Sequence, residues 1–309
     1  MKKQYNKLIS NNSLLVVIFI LLATLLLSFR SILVKFAYNY EVAVMDLFYY
    51  RFLFTLPLLL AFAFYKKRKE LFTAILNKKI AVGCMLAGFF GYYLATLSDF
   101  NSLKLIDANI NRIILYTFPA YVLILNSIVE KKLPKTRDIF FFALVQIGLF
   151  FVLGGLNLSL TSANKIGAIL ALLAAISYSI YIIINQQIGK KIGSILFTSY
   201  AVTFSFIFIN IHFFTVFDPE IITPISNKGF VIIIIMAIFC TFMPLLLIAE
   251  GIKRIGASRF ALLNTSGPIM TIFFCYMILE ETMTYQQIIG SILIIGILYI
   301  AEKGKKKGN

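Results

Sequence analysis

Ser102 to Leu133 reads SLKLIDANINRIILYTFPAYVLILNSIVEKKL, and a version of it returns from Gly251 to Met283 as GIKRIGASRFALLNTSGPIMTIFFCYMILEETM. Lys104, Ile106, Ala108 and Pro119 fall on Lys253, Ile255, Ala257 and Pro268; after one inserted residue, Glu130 and Leu133 meet Glu280 and Met283. The same spacing carries Ser28 onto Ser177 and Phe48 onto Phe197. An echo of this length, built from apolar helix-length segments, marks a duplicated membrane unit rather than a solenoid.

Composition points the same way. Residues AVILMFWYC make up 60% of the 309-residue chain, whereas soluble domains hold roughly 45–50% apolar residues even with glycine included. One crossing takes about 20 apolar residues, so the chain has room for ten spans and for no soluble catalytic domain. The spans are expected near Leu14–Tyr38, Val42–Tyr65, Ile80–Leu97, Leu105–Ile128, Ile139–Leu156, Ile166–Gln186, Ile195–Val216, Phe230–Glu250, Ile255–Leu279 and Tyr285–Ala301. Lys2, Lys3 and Lys7 precede the first without a small-residue cleavage site, which reads as a retained helix rather than a signal peptide.

The formal charge of +16 is scattered in short clusters between the apolar runs, a topology signal and not a nucleic-acid face. Lys66–Lys69, Lys78, Lys79, Lys131, Lys132, Lys135, Arg137, Lys190, Lys191, Lys253, Arg254 and the Lys303–Lys307 tail share the side of the N-terminal lysines. The opposite side holds Lys104, Lys165 and Lys228. Both termini are therefore expected in the cytoplasm. An odd number of spans per half inverts the second half against the first, about an axis in the membrane plane. The expected fold is all-α: a cytoplasmic tail (1–13), two inverted five-helix repeats (14–157 and 163–301) and a basic cytoplasmic tail (302–309).

Cys84, Cys240 and Cys275 lie within spans without CxxC spacing and read as small apolar residues. His212 is the only histidine, so histidine metal clusters are excluded. No HExxH, GxSxG or aspartate-rich motif is present. No enzymatic activity, cofactor or metal is expected. The stripes Gly83/Ala87/Gly91/Ala95 and Gly167/Ala171/Ala175/Ser179 read as close helix-packing faces.

Arg30, Lys35, Arg51, Arg112 and Arg259 are cations inside spans. At ~1.5 Å per residue, Arg30, Arg51 and Arg112 come out at one depth, on the order of 10 Å below the outer surface. Two readings stand side by side. The arginines pair with Asp46, Asp99 and Asp107, or they face a hydrated cavity and hold a carboxylate or phosphate. On the second reading Arg30, Arg51, Asn109, Arg112, Tyr116, Tyr181, Asn185 and Asn264 line a path for an anionic or zwitterionic solute. Asn109, Arg112 and Tyr116 share one helical face; Thr24, Ser28, Ser31 and Lys35 share another; Ser177, Tyr181 and Asn185 form a third. Pro119 and Pro268 occupy equivalent places and are the expected kinks or hinges, because proline cannot bond to the carbonyls of Leu115 and Asn264. Glu130, Glu280 and Glu281 open loops and are read as fixing helix ends, and Glu250 as a rim ion pair with Lys253 and Arg254.

The segments GYYLATLSDFNSLKLIDANINRIILYTFPAYVLILNSIVEKKL and PLLLIAEGIKRIGASRFALLNTSGPIMTIFFCYMILEETM resemble the paired repeat of the drug/metabolite transporter superfamily, EamA type. Arg51–Phe52 resembles that family's Arg-Phe pair, and Lys35 its basic residue closing the first helix. The chain departs from the family in lacking tryptophan, with Phe29 and Tyr178 at the family's Trp positions, and Arg30 and Arg112 lie outside the general pattern. The resemblance implies alternating-access transport of a small metabolite in the inner (plasma) membrane. A polyspecific efflux pump for cationic amphiphiles is the rival. The expected partners are a small-molecule substrate and the lipid bilayer. A chain with its own inverted repeat encloses a path alone and is expected to be a monomer.

Overall fold

The computed structural model describes residues 2–129, 131, 133, 136–152, 162–216, 225–248 and 267–305. Its helices, numbered here in chain order, are α1 Lys2–Asn39, α2 Val44–Thr73, α3 Lys78–Leu105, α4 Ala108–Leu115, α5 Phe118–Val129, α6 Thr136–Val152, α7 Ser162–Ile184, α8 Ser194–Val216, α9 Asn227–Ala237, α10 Gly267–Leu279 and α11 Tyr285–Lys305. No strand occurs among the described residues. Among the described residues, seven helical stretches are long and apolar enough to cross a membrane: Ile18–Asn39, Val44–Leu76, Lys78–Leu105, Ala108–Val129, Asn164–Ile192, Ser194–Thr215 and Asn227–Ile248. Three shorter apolar helices, Ile139–Val152, Met270–Leu279 and Tyr285–Ile297, fall where the other spans are expected. Residues 249–266, which hold Glu250, Lys253, Arg254, Arg259 and Asn264, lie outside the described residues.

Helix starts follow local chemistry. Asn77 Oδ1 accepts the backbone N–H groups of Lys79 and Ile80 at 3.0 and 3.4 Å, opening α3, and Ser226 Oγ accepts Gly229 N–H at 3.1 Å before α9. Thr284 and Gln287 form a reciprocal capping box at the start of α11, with bonds of 2.9 and 3.3 Å.

Several boundaries differ from the sequence expectation. The second span continues to Thr73 as a helix through Lys66–Lys69, with a non-helical turn at Lys67 (φ −143°, ψ 36°). The third, expected to close at Leu97, continues to Leu105, so Lys104 sits in a last helical turn and not in a loop. A basic residue there suits the carbonyl end of the helix dipole, and apolar composition alone does not register it. The fourth span is broken at Tyr116–Thr117, immediately before Phe118–Pro119. Pro119 has no N–H to offer the Leu115 carbonyl, and the chain restarts as a new helix with proline in its first turn, where the missing donor costs least.

Three helices contain π-type turns: Gly88–Leu94 within α3, Asn185–Gly189 after α7 and Ile238–Phe242 after α9. The helices of the first half pack on those of the second. The first lies on α10, α2 on α8 and α9, α3 on α7 and α8, α4 and α5 on α7, and α6 on α11. Gly91 permits one of these approaches, since a Cβ there would sit 2.5 Å from the Tyr181 ring. The three cysteines are buried free thiols.

Candidate functional site

One face of α1 is polar and buried, and it holds the broken fourth span. Thr24 Oγ1 donates to the Ile20 carbonyl at 2.8 Å, and Ser28 Oγ donates to the Thr24 carbonyl at 2.8 Å and to the Gly267 carbonyl at 3.3 Å. Such back-bonding gives each buried hydroxyl a backbone acceptor. Higher on the same face Ser31 Oγ accepts Arg112 Nε at 2.8 Å, and the Leu27 carbonyl accepts Arg112 Nη2 at 3.2 Å. Lys35 Nζ donates to the Ile106 carbonyl at 2.7 Å. Tyr116, one turn past Arg112, fits against α10 because position 267 is glycine; a Cβ there would lie 1.9 Å from the Tyr116 hydroxyl.

Beside this face lie the other two arginines. Arg30 forms an ion pair with Asp99, whose side chain is 1% exposed. Asp99 was expected at a helix end. It lies inside α3 because that helix runs on, and it is the acid that reaches an arginine. Arg51 is 2% exposed. Its guanidinium carbon lies 4.7 Å from the Phe52 ring centroid and 4.8 Å from that of Phe100, within cation–π range. Arg30 lies over Phe100 as well, at 5.8 Å. Among the described residues no carboxylate pairs with Arg51 or Arg112, and Asp46 and Asp107 pair with no arginine. Arg30 Nε, Arg51 Nε and Asp99 Oδ1 are buried without hydrogen-bond partners among the described residues. The charges of Arg30 and Asp99 act on both Arg51 and Arg112, so the four groups form one electrostatic cluster. Among the described residues its three guanidiniums and one carboxylate leave an excess of two positive charges.

An aromatic layer adjoins the cluster. The Tyr92 and Tyr181 hydroxyls are hydrogen-bonded at 2.8 Å, and Asn185 Nδ2 donates to Tyr181 Oη at 3.4 Å. Tyr178 stacks on Tyr181 with centroids 5.5 Å apart, and Phe118 meets Tyr178 edge-on at 5.1 Å. Tyr116 lies 6.2 Å from Phe118. Arg30 and Arg112 act electrostatically on Tyr116 and Tyr178, which joins the layer to the cations.

The structure thus brings Arg30, Arg51, Arg112 and Tyr116 within electrostatic reach of one another, and Tyr181 and Asn185 join them only through the stack with Tyr178. Asn109 lies in the first turn of α4, one turn before Arg112, with its Oδ1 accepting Ile110 N–H at 2.5 Å. Asn264 lies outside the described residues, as does the side chain of Pro268. Sequence reasoning offered Asp99 as one of three acids to pair with the arginines, but it did not place Asp99 and Phe100 inside α3 or single out Tyr92 and Tyr178 as members of this interior. The signal for the first two was the helix running past Leu97. For Tyr92 it was the wide turn, which shifts the side-chain phase of α3.

Beside Asp107 the start of α4 is held from across the molecule. Glu281 accepts the backbone N–H groups of Ala108 and Asn109 at 2.9 and 3.0 Å, capping α4. Burial pushes its carboxyl above the usual glutamate range and Asp107 adds to this, against the two backbone hydrogen bonds and Lys35, which lower it.

Residues 14–154 and 165–301 each match the EamA-like transporter family. The chain belongs to the EamA-like transporter family. This EamA-like transporter is 32% identical over 307 residues to the "Uncharacterized transporter YcbK" of Bacillus subtilis (strain 168), a match covering 94% of this chain and 95% of that one. A crystal structure of a protein with 14% sequence identity shares the fold at a TM-score of 0.64, over 94% of this chain and 98% of the other. The protein is a multi-pass membrane transporter.

Proposed function

We propose that this EamA-like transporter is a secondary carrier that moves a small anionic or zwitterionic metabolite, such as an amino acid or nucleotide derivative, by alternating access. Two inverted repeats of five helices rock about the interior that holds Arg30, Arg51 and Arg112. The packing pattern supports the inverted arrangement: the contacts of α1 with α10 and of α4 and α5 with α7 exchange under a two-fold that interchanges the halves, as do those of α2 with α9 and α3 with α8. The lysine and arginine asymmetry supports two cytoplasmic termini in the inner membrane. The observation that carries the substrate reading is Arg51, buried and without an acidic partner among the described residues. A cation at such depth costs about 3 kcal/mol or more, and a bound anion removes much of that cost.

Arg112→Ala should abolish uptake into liposomes while leaving the amount of inserted protein unchanged. Wild-type uptake by that variant would remove Arg112 from the site. A second reading, efflux of cationic amphiphiles, draws on the stacked Tyr178, Tyr181 and Phe118 rings and on the free oxygen of Asp99. Competition for uptake by amino acids, nucleotides and organic cations separates the two.

A further inference from the structure

We infer that the solute taken at the arginine cluster is an organic anion bearing two negative charges, of the kind presented by a dicarboxylate or a phosphate monoester. This rests on the carrier reading and narrows it. Among the described residues the cluster holds three guanidiniums against one carboxylate, and Asp99 is already engaged by Arg30. The partners of Arg112 are the neutral Ser31 hydroxyl and the Leu27 carbonyl, which satisfy hydrogen bonds without cancelling charge. The guanidinium of Arg51 lies against two phenyl rings, and its Nε is buried and has no partner among the described residues. Contact with ring faces leaves the planar edge of a guanidinium for in-plane donors, the geometry that matches two oxygens of one acid group. A net-neutral zwitterion would leave the interior with its full excess of two cations. A single negative charge would leave one, and two negative charges close the balance. The adjoining tyrosines offer hydroxyls and ring faces to the uncharged body of the solute, at Tyr116, Tyr178 and Tyr181.

The test uses the full chain purified in detergent. Its melting temperature is followed with succinate, glycerol 3-phosphate, alanine and tetraethylammonium at matched ionic strength. Succinate or glycerol 3-phosphate should raise it saturably, and alanine and tetraethylammonium should not; which of the two anions acts separates dicarboxylate from phosphate ester. Arg51→Gln should weaken the response to the active anion by roughly tenfold or more, and Arg51→Lys should retain part of it, since one bidentate charged contact is lost or reduced. The wild-type panel stands even where Arg51→Gln fails to fold. Stabilisation by alanine or tetraethylammonium equal to that by the anions, or an anion response unchanged in Arg51→Gln, overturns the inference. Exchange of alanine across proteoliposomes with neither anion bound would overturn it while leaving the carrier reading in place. Anion binding without exchange of any solute would do the reverse.

Discussion

Glu281 caps a helix to which it does not belong: its carboxylate accepts the N–H of Ala108 at 2.9 Å, joining the loop before α11 to the start of α4. The neighbouring Asn109 N–H is held at 3.0 Å, so two of the orphan donors at that helix terminus are satisfied from the other repeat. Asp107, the residue in the N-cap position, makes no side-chain cap bond. Replacing Glu281 by Ala should therefore destabilise the protein by about 1 kcal/mol, the usual worth of a cap. Hydrogen exchange at the Ala108 and Asn109 amides is the direct measurement. Unchanged protection in the variant would show that the cap does not hold this end.

The same residue sets a pH dependence. Its carboxyl is raised above the ordinary glutamate range, chiefly by burial. The capped form therefore binds a proton more tightly than the uncapped one. Stability contributed by this group rises as pH falls from above the capped pKa towards the unperturbed glutamate value, and is lost as pH increases through that window. Glu281→Gln, which keeps one acceptor and no charge, should flatten the dependence in melting curves. A slope identical in wild type and variant assigns it to another group.

Breaking the Arg30–Asp99 pair from one side leaves Asp99 buried without its direct ion-pair partner, with Arg51 and Arg112 acting on it only from a distance. Arg30→Leu should cost about 3–5 kcal/mol, and adding Asp99→Leu should recover most of that loss, because the desolvation penalty disappears with both charges. The comparison is made by thermal unfolding in one detergent, singly and together. Additive losses would argue against a direct pair.

At Gly91 a methyl group would meet the Tyr181 ring at 2.5 Å. Gly91→Ala should cost roughly 1–3 kcal/mol by overpacking, and should lower transport by displacing Tyr181 from Tyr92 and Asn185. Combining it with Tyr181→Ala should cost less than the sum of the two changes. Simple additivity in melting temperature would place the ring elsewhere.

Pro119 is a test of the helix break. Because it stands in the first turn of α5, where a proline is tolerated, Pro119→Ala should change stability by less than about 1 kcal/mol, far below the ~3 kcal/mol of a mid-helix proline. Transport should fall if the break between Tyr116 and Phe118 is the bending point. A variant with full turnover would assign the interruption to packing alone.

The membrane class and the duplicated organisation were legible because each depends on runs of many residues: apolar length, charge sidedness and the echo of Ser102–Leu133 in Gly251–Met283. Counting along straight helices put the three arginines at one expected depth. What counting could not supply was lateral placement. Nothing in the linear order of Arg30 and Asp99 says that they meet, and apolar windows end at Leu97 because Asp99, Asn101 and Lys104 follow. There the helix is extended by tertiary packing, with Asn101 Nδ2 returned to the Leu97 carbonyl at 2.8 Å. Glu281 was recognised as a residue that fixes a helix end, but an acid at a loop start gives no clue that the end belongs to a distant helix.

The wide turn at Gly88–Leu94 makes α3 two rotational frames in one rod. A π turn spends one residue beyond the α-helical count, and one residue is worth about 100° of azimuth. Everything downstream, Asp99 and Phe100 included, is aimed by that extra residue. Deleting a single phenylalanine from Phe89–Phe90 would keep the span apolar and long enough to cross the bilayer, yet swing the aspartate off its arginine, an indel whose damage no hydropathy profile would register.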